Sequence, residues 1–313
     1  MKTCALDVSR TYLAPIGSGL GDVIVCRPIL DWLIANCSGP VYLVARGPRQ
    51  VGTSDLFPGL AGEVCELELP RLLQPSDQYI NLRDHPLQRH EDWFSEEFKC
   101  KYPNHTIVDI LAHIAMDAGI LANCGEIKPF EFDVDPRAAG RVILIPGATW
   151  RDKCLIPETW DAIRMGLEQR GLKLLTLGVP SKCDEVVRLI ESGVPFIPTP
   201  DLTTAVNLIS SCSCVISVDT GLMHMAVQQG VKTIAIYGVC ELYFRQTANC
   251  VPIFACRTCV SHGSRVTTEH DFPAHYDSWD WNPPGAKACD YLAFNDAGYV
   301  IDLTLKLLQS AAS

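Results

Sequence analysis

The chain of 313 residues predicts an α/β protein with two domains, each built on a parallel sheet. Its length allows two separate cores. Short β-branched apolar runs alternate with helical patterns, which is the rhythm of βαβ units. Glycine-bearing turns follow two of those runs, at Ile16–Gly21 and at Asp219–Gly221, and each leads into a helix. Strand-to-helix turns of this kind lie at the carboxyl edge of a parallel sheet, where α/β proteins place their ligands.

In chain order, Thr11–Pro15 reads as a first strand. The loop Ile16-Gly17-Ser18-Gly19-Leu20-Gly21-Asp22 follows, then a helical pattern through Ile34. The loop has neither the Lys-Ser/Thr ending of a P-loop nor the spacing of a dinucleotide fingerprint. Asp22 falls at a helix start, where a carboxylate is favoured in any case. Val41–Arg46, Val64–Leu67 and Tyr79–Leu82 read as further strands, and His105–Ala118 as an amphipathic helix. Between them, residues 83–103 are polar and aperiodic. Glu126–Gly140, with Pro129 and Pro136, reads as the linker, which gives domains of 1–135 and 136–313.

The second sheet opens with Arg141–Ile145. The loop 146–153 then carries Thr149 and Lys153, and a helix runs from Pro157 to Arg170. Leu172–Leu177 reads as a strand ending in the Gly178-Val179-Pro180 turn, Phe196–Pro198 as a third strand, and Leu202–Ser211 as a helix. Cys214–Val218 is a strand buried on both faces. Asp219-Thr220-Gly221 breaks it and starts a helix that ends at Gly230, ahead of a strand over Lys232–Tyr237. Free N–H groups and the positive end of the helix suit a phosphate or diphosphate there. The same residues also suit an ordinary βαβ unit in which Asp219 only caps the helix. Tyr299–Leu308 reads as a final helix.

Composition narrows the function. The formal net charge is −10, so no nucleic acid is expected as a partner. Residues 1–10 lack the apolar core of a signal peptide, and no apolar run reaches the roughly 18 residues of a membrane span. A cytoplasmic protein is expected, with at most peripheral membrane contact. The 15 cysteines are mostly isolated in apolar surroundings, where they act as small hydrophobes. Cys256 and Cys259 differ, because their two-residue gap lets both thiolates meet one ion. Cys289 is a candidate third ligand for a structural zinc or iron, with reduced loop cysteines as the alternative.

Two stretches, Leu20-Gly21-Asp22-Val23-Ile24 with Pro28 and Asp219-Thr220-Gly221-Leu222-Met223-His224-Met225-Ala226, resemble the family 9 glycosyltransferases. These are the lipopolysaccharide heptosyltransferases and their relatives. The resemblance implies the GT-B fold, two Rossmann-like domains facing across a cleft, with the acceptor on the first and the donor on the second. It implies an inverting transfer from a nucleotide-diphosphate sugar to an acceptor hydroxyl, with ADP-heptose as the default donor and no cofactor required. Asp22 matches the family's general base. Lys153 and Thr149 match its diphosphate contacts, and Asp219, Thr220, Gly221 and His224 its diphosphate and sugar segment. Gly178 lies where relatives place the nucleoside, with Asp184 or Glu185 as the acid for the ribose. Arg83 and His85 are candidates for contact with a glycan, lipid-linked glycan or protein acceptor. Some relatives bind a metal in the region of the late cysteines. The competing readings are a non-catalytic nucleotide-sugar-binding module and an epimerase or hydrolase of the nucleotide sugar. The oligomeric state is left open.

Overall fold

The computed structural model describes residues 9–47, 50–84, 107–148, 153–237, 247–254 and 296–310. The chain divides into two compact units, Met1–Glu131 and Phe132–Ser313. Each is an α/β layer structure around a parallel sheet, the fold class expected from the βαβ rhythm.

Unit 1 contains β1 (Thr11–Ala14), α1 (Leu20–Val25), α2 (Arg27–Asn36), β2 (Val41–Ala45), β3 (Leu60–Cys65), α3 (Leu69–Leu72), β4 (Gln78–Asn81) and α4 (Ile107–Asp117). The strand order is β3-β2-β1-β4, with all pairings parallel. β1 is buried along its whole length. The order reverses at β1, so the Ile16–Gly21 loop sits at a topological switch point. The helical pattern after that loop is two helices and not one. Cys26 closes α1, and Pro28 stands in the first turn of α2. Proline lacks the N–H that a continuous helix would need, but it fits a first turn.

Unit 2 contains β5 (Arg141–Ile145), α5 (Pro157–Glu168), β6 (Lys173–Thr176), α6 (Asp184–Glu191), α7 (Leu202–Ser211), β7 (Cys214–Val218), α8 (Gly221–Gln228), β8 (Thr233–Tyr237), β9 (Cys250–Phe254) and α9 (Ala297–Gln309). The order is β6-β5-β7-β8-β9, again parallel throughout. β7 and β8 are buried along their whole length and are mostly apolar; their polar residues Ser217 and Thr233 donate their hydroxyls to the Val218 and Val231 carbonyls. One core joins Val142, Leu144, Trp160, Ile163, Ile216, Ile234, Val300 and Ile301. α9 packs on α5 so closely that a side chain at Gly166 would collide with Ile301.

A further difference from the sequence reading has a backbone cause. Phe196 makes only an isolated bridge to Thr176 instead of forming a strand. Pro195 and Pro198 flank it and cannot donate to a ladder, although the Pro195 carbonyl accepts from the Thr176 amide at 2.9 Å. Conversely, β9 contains Pro252 and is still a strand. It stands at the sheet edge, where a missing N–H is tolerated.

Candidate active site

In unit 2 the site grows from the neighbouring strands β5 and β7. Parallel pairing brings their C-terminal loops to the same edge. Asp219 is the first residue beyond β7, and Thr220 is the N-cap of α8, with extended backbone. The Thr220 side chain makes no capping bond, so it does not occupy the first-turn amides of the helix. Gly221 is the first helical residue and is not among the glycines with positive φ. Its backbone would therefore accept a side chain, and the absence of one keeps the helix start open to close approach.

Asp219 does more than begin this turn. Its side chain is 5 % exposed. Lys153, carried on the loop after β5, donates from Nζ to Asp219 Oδ2 at 2.6 Å. His224, one turn into α8 and 4 % exposed, places Nε2 3.3 Å from Asp219 Oδ1. Burial pushes the Asp219 carboxyl upward, but the Lys153 ammonium and the His224 bond outweigh it and hold the group well below the usual carboxylate range. A lysine charge is thus fixed beside the open end of α8 by a buried carboxylate. The sequence reading placed Lys153, Asp219 and His224 each toward a ligand. The structure joins them to one another first.

Gly147, Ala148, Cys154 and Cys183, which the motifs did not single out, pack together at this edge beside Glu185 and Gly178. Ala148 N–H donates to Cys154 Sγ at 3.3 Å, under the loop that carries Lys153. Gly147 lies against Cys183, whose sulfur a Cβ there would meet at 2.5 Å. The Cys183 thiol is pushed up to about 12 by burial and by Glu185, and it donates to Glu185 Oε2 at 3.0 Å. Glu185 is 1 % exposed. Of the two acids considered for the ribose, Glu185 is therefore occupied internally, while Asp184 is exposed. Gly178 has φ of 144°, and a Cβ would lie 2.7 Å from Val186, so only glycine lets α6 approach the end of β6. Small buried cysteines beside glycines were the available signal for this packing, and nothing in their spacing marked it.

In unit 1, Asp22 sits in the first turn of α1. Its Oδ2 accepts from the Gly19 backbone N–H at 2.7 Å, so the carboxylate folds back over the glycine loop. A Cβ at Gly17 would land on the same carboxylate. Arg83 is exposed. Thr149, His85, Cys256, Cys259 and Cys289 lie outside the described residues. Among the described residues, no group of three or more His, Cys, Asp or Glu side chains is placed to hold a metal ion. Among them, too, no helix is long and apolar enough to cross a membrane.

Residues 126–265 match the family described as glycosyltransferase family 9 (heptosyltransferase). That segment contains Lys153, Asp219 and α8. No curated protein matches the chain. Among solved structures, a family 9 glycosyl transferase from Veillonella parvula aligns with a TM-score of 0.64 at 16% identity, covering 99% of this chain and 100% of that one. The E. coli heptosyltransferase WaaC with ADP-2-deoxy-2-fluoro heptose aligns with a TM-score of 0.54 at 16% identity, covering 78% and 92%. The dodecameric iron-containing heptosyltransferase TibC, in complex with ADP-D-beta-D-heptose, aligns with a TM-score of 0.63 at 14% identity, covering 97% and 77%. At these identities the likeness to solved structures is one of fold. The family match covers the second of the two stretches that carry the resemblance, Asp219–Ala226, and does not extend to the first, Leu20–Ile24 with Pro28.

Proposed function

Because residues 126–265 match glycosyltransferase family 9 (heptosyltransferase), we propose that the chain is an inverting glycosyltransferase using a nucleotide-diphosphate sugar, with ADP-heptose as the first donor to test. The observation that carries the proposal is the Lys153–Asp219 pair at the uncapped start of α8. A diphosphate leaving group develops negative charge as the sugar departs. A fixed ammonium and the N-terminal amides of a helix stabilise that charge without having to reorganise. Asp219 supplies the counter-charge that keeps the Lys153 side chain extended toward this edge. Thr149, on the same loop, would add a hydroxyl donor, and Gly178 would admit the nucleoside. Asp22 is assigned the proton of the acceptor hydroxyl during attack on the anomeric carbon. In a purely binding module that carboxylate would only accept from Gly19 N–H and cap α1. The donor is assigned to unit 2 and the acceptor to unit 1. A glycan, a lipid-linked glycan or a protein side chain supplies the acceptor hydroxyl. Cys256, Cys259 and Cys289 are assigned to a structural zinc or iron.

Nucleotide release tests the reading. The protein is incubated with ADP-heptose, and separately with UDP- and GDP-sugars, each with and without glycan acceptors. ADP release from ADP-heptose that accelerates on adding a glycan, with the sugar recovered on the acceptor in inverted configuration, is the expected result. Release that no acceptor accelerates, with free sugar as the product, would make the protein a hydrolase. Retained configuration on the acceptor would remove Asp22 from the role of base in a single displacement.

A further inference from the structure

We infer that Gln50 is a positioning residue that holds the glycine loop and, through it, the Asp22 carboxylate. The inference rests on the assignment of Asp22 as base. Gln50 is 0 % exposed and lies in the irregular segment after β2. Its Nε2 donates to the Gly17 carbonyl at 3.0 Å and approaches the Gly19 carbonyl at 3.3 Å. Its Oε1 accepts from the Arg46 backbone N–H at 2.7 Å. The carboxamide thus bridges the loops that follow β1 and β2, the two strands beside the switch point.

The backbone of Gln50 is itself held. Its N–H donates to the Gly47 carbonyl at 3.0 Å, and its carbonyl accepts from the Thr53 hydroxyl at 2.6 Å. Thr53 is also 0 % exposed. The far end of the chain of contacts is the Asp22 carboxylate. Gly19 N–H donates to it, and the missing Cβ of Gly17 makes room for it. The residues whose carbonyls Gln50 fixes are therefore the residues whose other atoms set the position of the carboxylate. Only an amide serves here, because one end meets an N–H and the other meets carbonyl oxygens. A glutamate of the same shape would turn a carboxylate oxygen toward those carbonyls and leave them without a donor.

The test compares Gln50→Glu and Gln50→Ala with the wild-type chain, using ADP-heptose with water as the acceptor and hydrogen exchange without any ligand. Amide exchange over residues 16–22 should accelerate in both variants while the rest of unit 1 stays protected. ADP release should slow by roughly 10- to 100-fold, the scale of a misplaced reacting group, with KM for ADP-heptose unchanged. In an Asp22→Asn background the Gln50 changes should slow release no further, because residues that act through one group are not additive. If Gln50→Ala does not fold, the isosteric Gln50→Glu decides. Unaltered exchange over 16–22 in a folded Gln50→Glu chain overturns the inference. So does a full rate with altered exchange, or an equal loss in the Asp22→Asn background. If Asp22→Asn alone leaves ADP release intact, the assignment of the base has failed, and the exchange data still report separately whether Gln50 holds the loop.

Discussion

Asp219→Asn is expected to lower the melting midpoint of unit 2 by roughly 10 °C, because removing one partner of a buried ion pair costs about 3–5 kcal/mol in a domain of this size. The Lys153 and Asp219 side chains are 15% and 5% exposed, so neither charge is well solvated once its partner is gone. The sign with pH follows from the depressed carboxyl. Between the native value and the unfolded value of about 3.9, the unfolded chain binds a proton that the native chain does not. The stabilisation is therefore complete above about pH 4 and declines as the pH falls below it. The Asn variant should lose stability near neutrality and show a shallower loss on acidification. Lys153→Ala should also destabilise, because it leaves Asp219 buried without its cation. A Lys153→Met/Asp219→Asn double variant should recover much of the midpoint while remaining slow in transfer. Thermal scans at pH 7 and pH 3 read both points. A midpoint in Asp219→Asn within about 2 °C of wild type would mean that the pair contributes little, and the account of Lys153 as a charge fixed in advance would fail.

Asp22→Asn is expected to lower turnover by roughly 100-fold or more. Its fold should persist, because the Asn carbonyl oxygen can still accept from Gly19 N–H, and the lost attraction to the α1 dipole is worth only about 0.3–1 kcal/mol. Donor affinity should stay the same, since the proposal gives Asp22 no donor contact. Initial rates of ADP release from ADP-heptose in the presence of acceptor, set beside a calorimetric ADP titration, separate the two effects. Near-wild-type turnover in the Asn variant would remove Asp22 from the role of base.

The parts of this site legible in the sequence are those fixed by local rules. An apolar run broken by Asp219-Thr220-Gly221 marks a strand end and a helix start, and α8 begins at Gly221 as that break implies. The glycine loop before Asp22 likewise announced a strand-to-helix turn, though Pro28 set the helix break at Cys26 where the apolar pattern ran through. What stayed hidden depends on which strands are neighbours. Lys153 and Asp219 are 66 residues apart, and only the pairing of β5 with β7 brings their loops together. The family resemblance implies a ligand contact for each, and the ion pair appears only once the strand order is known. Gln50 was hidden for a related reason. A lone glutamine in an aperiodic segment reads as surface, and its burial follows from the loops of β1 and β2 closing over it. Glu185 and Asp184 are adjacent in sequence and alike in chemistry, but the turn of α6 buries one with Cys183 and leaves the other exposed.

In the proposed reaction the donor diphosphate lies on the start of α8. Calorimetric titration of ADP into the wild-type chain and a Gly221→Leu variant tests it most directly. Gly221 has a helical backbone that leucine can adopt, so the variant should fold with an unchanged melting midpoint. The added side chain would stand where the diphosphate meets the helix amides. ADP should bind the wild-type chain and bind the variant at least roughly tenfold more weakly, a loss of about 1.4 kcal/mol or more. Equal ADP affinity in the two folded proteins would put the diphosphate elsewhere and contradict the assignment of Lys153, Asp219 and α8 to the donor.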